Sequence, residues 1–400
     1  MNRLLTIGLI AFALVSCDKP ALPGIDEGDM VNLYLVPTSG TSVSGSARFA
    51  ATGPNEKPFL ASSGYTTNPS AIGVCIYPAG TNFAASPQYY TLPGYHNIKG
   101  TGTRPSGEGN VANTGYATTW TYVPFGGSTV AAHATNAIGL STSITETPHA
   151  VDVYGYYPYR PDVDRSNMTA YPFTVGITDS TNYDFMFTGP KMVTPSTSPG
   201  AADLYPPFGF AHAMPVLHFK LQTSYTGPLM INSIKLTAVD RTSGTPLDVF
   251  AKEGTINLTN GVITPNPAPT NYSSELKVDF KKWINRARQP SSSTIVDSTS
   301  CCLVFPEINN PNVKIKVDFI LSDPNGPTSE RILISSTKPM EIDLGDVTFG
   351  GALHANYRYI FAVIIDNYIK YTGQGGSFTG ATLTIDNSSW LDVDVPDIEI

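Results

Sequence analysis

Cys17 is the residue in this chain whose chemistry is easiest to name: a thiol ending the motif Leu14-Val15-Ser16-Cys17. Arg3 supplies a positive n-region, and the apolar run from Leu4 to Val15 supplies an h-region. That run is shorter than the roughly 20 residues a membrane-spanning helix needs, so it reads as a cleaved signal. The four residues match the bacterial lipobox, in which the thiol is alkylated with diacylglycerol before cleavage on its N-terminal side. Small residues beside Cys17 let a peptidase reach the backbone, and only a thiol serves as acceptor. Several acyl chains, palmitate for example, anchor stably where a single one does not, at about 0.8 kcal/mol per buried methylene. The sequence predicts a mature chain starting at lipid-bearing Cys17. The alternative is an ordinary secretory signal with an incidental cysteine.

Beyond Cys17 the reactive residue types do not gather. The six histidines, His96, His133, His149, His212, His218 and His354, form no HExxH or similar cluster. His212 and His218 share strand parity, but Pro215 interrupts any one strand through both; ordinary strand pairing reads better than a metal pair. No G-x-S-x-G elbow, P-loop or G-x-G-x-x-G before a helix occurs. Asp323-Pro324-Asn325-Gly326 resembles the opening of a calcium loop, yet Pro324, Pro327 and the missing ligand rhythm make it a turn. Tyr154, Tyr156, Tyr157 and Tyr159 could stack on sugar rings, although a strand with one aromatic face in the core is simpler. Lys281, Lys282, Arg286 and Arg288 read as a solvated basic face. With Cys17 acylated, Cys75, Cys301 and Cys302 remain. Adjacent cysteines rarely bond to each other, Cys75 could bridge to either, and the odd count gives no disulfide framework, so buried free thiols are expected. Catalysis, metals and other cofactors find no support.

The elements that position these residues must be strands. Charged residues are only 14 % of the chain, while Gly (35), Pro (33), Tyr (21) and Phe (18) are plentiful. Such a mixture argues against disorder and helical bundles and for many strands joined by tight turns. The length allows two domains, each with its own core. Net charge is −8, so a nucleic-acid backbone is repelled and nucleic acid is excluded as a partner.

Alternating or continuous apolar runs predict strands at residues 30–36, 71–77, 119–123, 151–159, 184–187, 216–221, 230–238, 313–321, 332–335 and 357–366. In the first, Val31, Leu33 and Leu35 share a face; in the sixth, Leu217, Phe219 and Leu221 do. Residues 80–118 read as loop, and residues 280–288 are as consistent with a short helix as with a strand. The stretch 194–207, dense in Pro, Ser, Gly and Ala, reads as a linker. The organisation expected is a signal peptide (1–16), a polar tether (17–29), an N-terminal β-sandwich domain (30–200) and a C-terminal one (201–400). The C-terminus alternates again: Val393 and Val395 before Pro396, then Ile398 and Ile400, two short edge-type strands that suggest docking. Arg48 stands in a segment rich in Gly, Ser and Ala after the first strand.

Several segments together resemble the fimbrillin family of Bacteroidetes surface lipoproteins, the pilin-type subunits and their relatives. Ala71-Ile72-Gly73-Val74-Cys75-Ile76-Tyr77 is similar to an early strand of that family, and Val151-Asp152-Val153-Tyr154-Gly155-Tyr156-Tyr157-Pro158-Tyr159 to its tyrosine-rich strand. Asp184-Phe185-Met186-Phe187 is similar to the step that follows, and Phe210-Ala211-His212-Ala213-Met214-Pro215-Val216-Leu217-His218-Phe219 to the start of the second domain. Asn356-Tyr357-Arg358-Tyr359-Ile360-Phe361-Ala362-Val363 and Trp390 resemble its closing strands. The resemblance implies an all-β fold of two tandem antiparallel, transthyretin-like β-sandwiches. It implies a non-enzymatic fimbrial subunit or surface lipoprotein of the outer membrane, serving adhesion to a host or bacterial surface receptor. Related pilins are cut after an arginine, losing the lipid and a first strand, and a neighbouring subunit fills the groove with its own strand. Carried onto this chain, cleavage falls between Arg48 and Phe49, and Val393, Val395, Ile398 and Ile400 form the donor strand. The partners implied are other fimbrial subunits, by strand donation, and the membrane, through the lipid on Cys17. The competing reading is a monomeric surface lipoprotein binding glycan or another ligand through aromatic loops, Tyr89-Tyr90 or Tyr154 to Tyr159.

Overall fold

Runs of β-branched and aromatic residues cannot cover both their faces alone, and in this chain they do so by stacking sheets. The computed structural model describes residues 30–39, 71–83, 94–103, 119–124, 137–141, 150–164, 166–179, 181–182, 185–195, 203–223, 228–284, 299–322, 332–334, 340–365 and 378–386. Among them strands dominate, no α-helix occurs, and Pro269–Asn271 forms a 3-10 turn. None of the described helical turns is long and apolar enough to cross a membrane. The fold is all-β.

The largest sheet has eight strands. Its order runs Val36–Ser39, Pro207–His212, Met186–Phe187, Val151–Tyr157, Ala71–Pro78, Ile98–Thr103, Thr119–Val123, with Lys191–Val193 also paired to Val151–Tyr157. Every residue of Val151–Tyr157 is buried, where an aromatic face in the core was expected on one side only. Val151, Val153 and Tyr157 enter one apolar cluster, and Tyr154 and Tyr156 enter another on the opposite face. Residues 80–118 are not all loop: Ile98–Thr103 is a strand whose Lys, Gly and Thr residues hide the pattern. Gly100 is required there, since a Cβ would lie 2.8 Å from Ile72 Cγ1 and 2.9 Å from Tyr122 Cε1.

Beyond residue 213 two further sheets face one another. One has the order Thr299–Val304, Val216–Thr223, Arg358–Ile365, Phe378–Asp386. The other runs Glu275–Trp283, Met230–Asp240, Val313–Ser322, with Ile332–Ile334 and Met340–Asp343 both paired to Val313–Ser322. Leu217, Phe219 and Leu221 point between them, as their alternation predicts, against Ile234, Leu236 and Phe319. Phe219 stacks on Phe361 (5.1 Å) and meets Phe319 edge-on (5.3 Å). Residues 280–283 end a strand rather than opening a helix, because Leu276, Val278 and Phe280 continue a period of two. Most pairings are antiparallel; Val36–Ser39 with Pro207–Phe210 and Val216–Thr223 with Arg358–Ile365 are parallel.

A third cluster joins what lies on either side of the expected change of domain. Tyr77, Tyr154 and Tyr156 pack there with Ile256, Leu258, Cys302 and Val304. Tyr171–Thr174 pairs with Glu253–Ile256, and Pro207–His212 lies inside the eight-stranded sheet although it follows residue 200.

Candidate functional site at the first strand

The first strand differs from its expected form. It comprises two stretches, Met30–Leu33 and Val36–Ser39, which pair on opposite sides. Met30–Leu33 runs antiparallel to Ile138–Ser141, with Leu33 opposite Ile138. Val36–Ser39 runs parallel to Pro207–Phe210. Between the two stretches, Tyr34 donates its N–H to Leu204 O (2.9 Å) and Leu204 donates to Asn32 O (2.8 Å). The segment is therefore a seam: one flank belongs to a two-stranded sheet, the other to the eight-stranded sheet.

Alternation decides what fills the seam. Val31, Leu33 and Leu35 are at most 3 % exposed. They enter the cluster formed by Ile72, Val74, Ile138, Leu140, Phe208 and Phe210. Burying three such side chains contributes roughly 5–9 kcal/mol at 1.5–3 kcal/mol each. Two tyrosines tie the layers: Tyr122 Oη donates to Leu35 O (2.7 Å) and Tyr95 Oη to Gly139 O (2.6 Å). Tyr122 comes from the strand at the far end of the eight-stranded order, so the sheet curls until its last strand reaches its first. Burial pushes the Tyr122 hydroxyl pKa up, so it stays a neutral donor. Outside the core Tyr34 stacks on Tyr205 at 4.9 Å. Desolvation, then the Asp203 carboxylate and Tyr205, hold the Tyr34 hydroxyl above its ordinary pKa.

If residues 30–39 left, a slot would open between the edge of Ile138–Ser141 and the edge of Pro207–His212. Its floor would carry Ile138, Leu140, Phe208 and Phe210. Both flanks would present main-chain N–H and C=O groups without partners, which is the chemistry of strand addition.

Cys17, Arg48, Phe49, Tyr89, Tyr90, Trp390, Val393, Val395, Ile398 and Ile400 all lie outside the described residues. So do Asp184, Arg286, Arg288 and the turn 323–326, although the strands flanking that turn pair as expected. Tyr154, Tyr156 and Tyr157 are at most 5 % exposed and offer no open aromatic face. His212 pairs with Met186, and His218 with Cys302 and Ile360, both buried in different sheets. No group of three or more His, Cys, Asp or Glu among the described residues could hold a metal. Cys75, Cys301 and Cys302 are buried and form no disulfide, with burial pushing the Cys75 and Cys301 pKa up. Lys282 is ion-paired to Asp179 at 3.0 Å rather than simply solvated. Of the other slot residues Phe210 opens the motif that resembles the start of the second domain, whereas Ile138, Leu140 and Phe208 show in the sequence only as the alternations Ile138-Gly139-Leu140 and Phe208-Gly209-Phe210.

The chain is all-β, and its first strand is a seam between two sheets. The sequence signature of a family described as fimbrillin-like matches residues 23–385, and the chain belongs to that family. Membership makes it a cell-surface fimbrial protein and implies association with other fimbrial subunits. No curated protein matches the chain. It is similar to solved structures of two proteins assigned provisionally to cell adhesion. The one from Bacteroides ovatus is 14 % identical, with 91 % of this chain and 98 % of that one covered and a TM-score of 0.43. The one from Bacteroides uniformis is 13 % identical, with 90 % and 98 % covered and a TM-score of 0.44. A fimbrial protein from Bacteroides vulgatus is 13 % identical, with 89 % and 98 % covered and a TM-score of 0.34.

Proposed function

We propose that the chain is a fimbrial subunit that assembles by exchanging its first strand for a donor strand from a neighbouring copy or a related subunit. The observation that carries the reading is the seam: residues 30–39 form one continuous piece whose loss opens both flanking sheets. Export places lipid on Cys17 and tethers the chain to the outer membrane. Cleavage between Arg48 and Phe49 then releases the lipid and the first strand together. The alternating tail residues Val393, Val395, Ile398 and Ile400 of a partner offer the same apolar rhythm as Val31, Leu33 and Leu35. In this reading the two sandwiches meet near residues 213–215, since Pro207–His212 pairs in the first one. The work is mechanical and adhesive and needs no active site.

Intact mass and N-terminal sequencing of protein from the native cell surface, beside unboiled SDS gels, test it. A start at Phe49 with a heat-sensitive ladder supports strand exchange. A start at acylated Cys17 with a single band overturns it and leaves a tethered lipoprotein.

A further inference from the structure

Strand addition acts on sheet edges, and the second sandwich treats its two sides differently. On one side lie Glu275–Trp283 and Thr299–Val304, the outermost strands of its two sheets. One short piece of chain from before residue 200, residues 176–179 with 181–182, reaches both. Asp179 donates its N–H to Asp279 O (2.8 Å), Asp279 donates its own to Ile177 O (2.9 Å), and Thr178 bridges to Asp279 in parallel. Asp279 is the middle residue of its strand. Lys282 Nζ lies 3.0 Å from Asp179 Oδ1 over the same edge, both side chains largely shielded.

At the neighbouring edge the side chain of Asn182 stands in for a peptide group. Its Oδ1 accepts the Val304 N–H (2.7 Å) and its Nδ2 donates to Val304 O (3.0 Å). The remaining donor goes to Gly176 O (2.9 Å), closing the segment on itself. Asn182 is 2 % exposed, and a Cβ on Gly176 would lie 2.0 Å from Thr181 O, so the turn is built tight. A side-chain amide makes the two bonds a neighbouring strand would make at Val304, yet presents no further edge of its own. On the opposite side Phe378–Asp386 ends its sheet with no strand beyond it among the described residues.

We propose that residues 176–179 and 181–182 are an intramolecular edge cap that keeps a second copy of this chain from pairing with Glu275–Trp283 and Thr299–Val304. The cap makes the sandwich one-sided, so that pairing between copies is confined to other edges. It stands independently of strand exchange at residues 30–39.

The test uses the unprocessed chain from residue 17 and its Asp179→Ala, Asn182→Asp variant, followed by hydrogen exchange and analytical ultracentrifugation. In the parent, the Asp279 and Val304 amides are protected. In the variant they exchange roughly tenfold or more faster, while the Ile234 and Phe319 amides are unchanged. The variant also gains concentration-dependent self-association. That association survives removal of residues 387–400 and is abolished by Lys277→Pro, which removes a donor on the same side of the ladder as Asp279. Fast exchange of Asp279 and Val304 in the parent overturns the cap, as does a variant that exposes these amides and stays monomeric. If the double variant unfolds, Asn182→Asp alone carries the same test at Val304.

Discussion

Leu33→Ala is the sharpest single perturbation of the seam. Leu33 is fully buried and sits at the one residue where the strand meets both Ile138 and Leu204. Truncating a leucine in such a place loses its transfer energy and leaves a cavity, together about 2–5 kcal/mol. In a chain of this size unfolding as one unit, each kcal/mol moves the thermal midpoint by about 1 °C. Asp203→Ala, an exposed change nearby, is the control and is expected within about 0.5 kcal/mol of the parent. Urea and thermal unfolding of the unprocessed chain, followed by tyrosine and tryptophan fluorescence, measure both. A Leu33→Ala shift no larger than that of Asp203→Ala would refute the claim that this strand is part of the core. The proposed exchange adds a second expectation. Fimbriae built from Leu33→Ala precursors should match the parent in stability, because residue 33 has left before assembly. Polymers as weakened as the precursor would mean that the first strand stays in place.

Other consequences follow from particular contacts. Gly73→Ala would set a Cβ 1.8 Å from Tyr156 Cε1 and displace the ring whose hydroxyl holds Asn97 Oδ1 at 2.7 Å, at a cost of about 3 kcal/mol that urea unfolding reads as a lowered midpoint at unchanged slope. Because burial raises the Cys75 and Cys301 pKa, a thiol reagent at pH 8 should label neither in the folded chain and both in urea. Rapid labelling of the native protein would contradict their burial. Asp162 has its pKa lowered, first by the hydrogen bond from Tyr171 and then by neighbours including Arg160. A depressed folded-state pKa contributes stability above the ordinary value near 4 that is lost as pH falls through the folded one. Asp162→Asn should therefore flatten the stability loss below about pH 4, read from unfolding curves between pH 3 and 7, and leave the curve above pH 5 parallel to that of the parent.

Strands that pack on one face wrote themselves plainly into the sequence. Val216–Thr223 shows Leu217, Phe219 and Leu221 at alternate positions because its neighbours on that face are all apolar. Val151–Tyr157 was legible as a strand but not as a doubly covered one, since tyrosine satisfies either an aromatic core or a wet surface. Only the structure shows the Tyr156 hydroxyl bound inside, to Asn97. Ile98–Thr103 was hidden for a different reason: its small and polar residues fit because Ile72 and Tyr122 fill the space a side chain would need. Propensity cannot register a strand whose chief requirement is to be thin.

The seam and the cap share a deeper obscurity, because both are relations between distant residues. Val31, Leu33 and Leu35 announce a buried face, and nothing local distinguishes a strand that pairs with one neighbour from one that joins Ile138–Ser141 to Pro207–Phe210. Asn182 looks like any turn asparagine, and its bonds lie 122 residues away at Val304. The two devices answer the same physical problem from opposite directions. A β-sheet protein at high local concentration must keep most of its edges from pairing while leaving a selected edge able to pair. In the two proposals made above, a side-chain amide seals one side of the paired sheets beyond residue 213, and a single segment of apolar alternation fills the slot beside Ile138–Ser141. Under the proposed exchange, selectivity rests on which segment can be removed as one continuous piece. Residues 30–39 precede Arg48, the proposed cleavage position, whereas residues 176–179 and 181–182 lie between the paired strands Tyr171–Thr174 and Met186–Phe187.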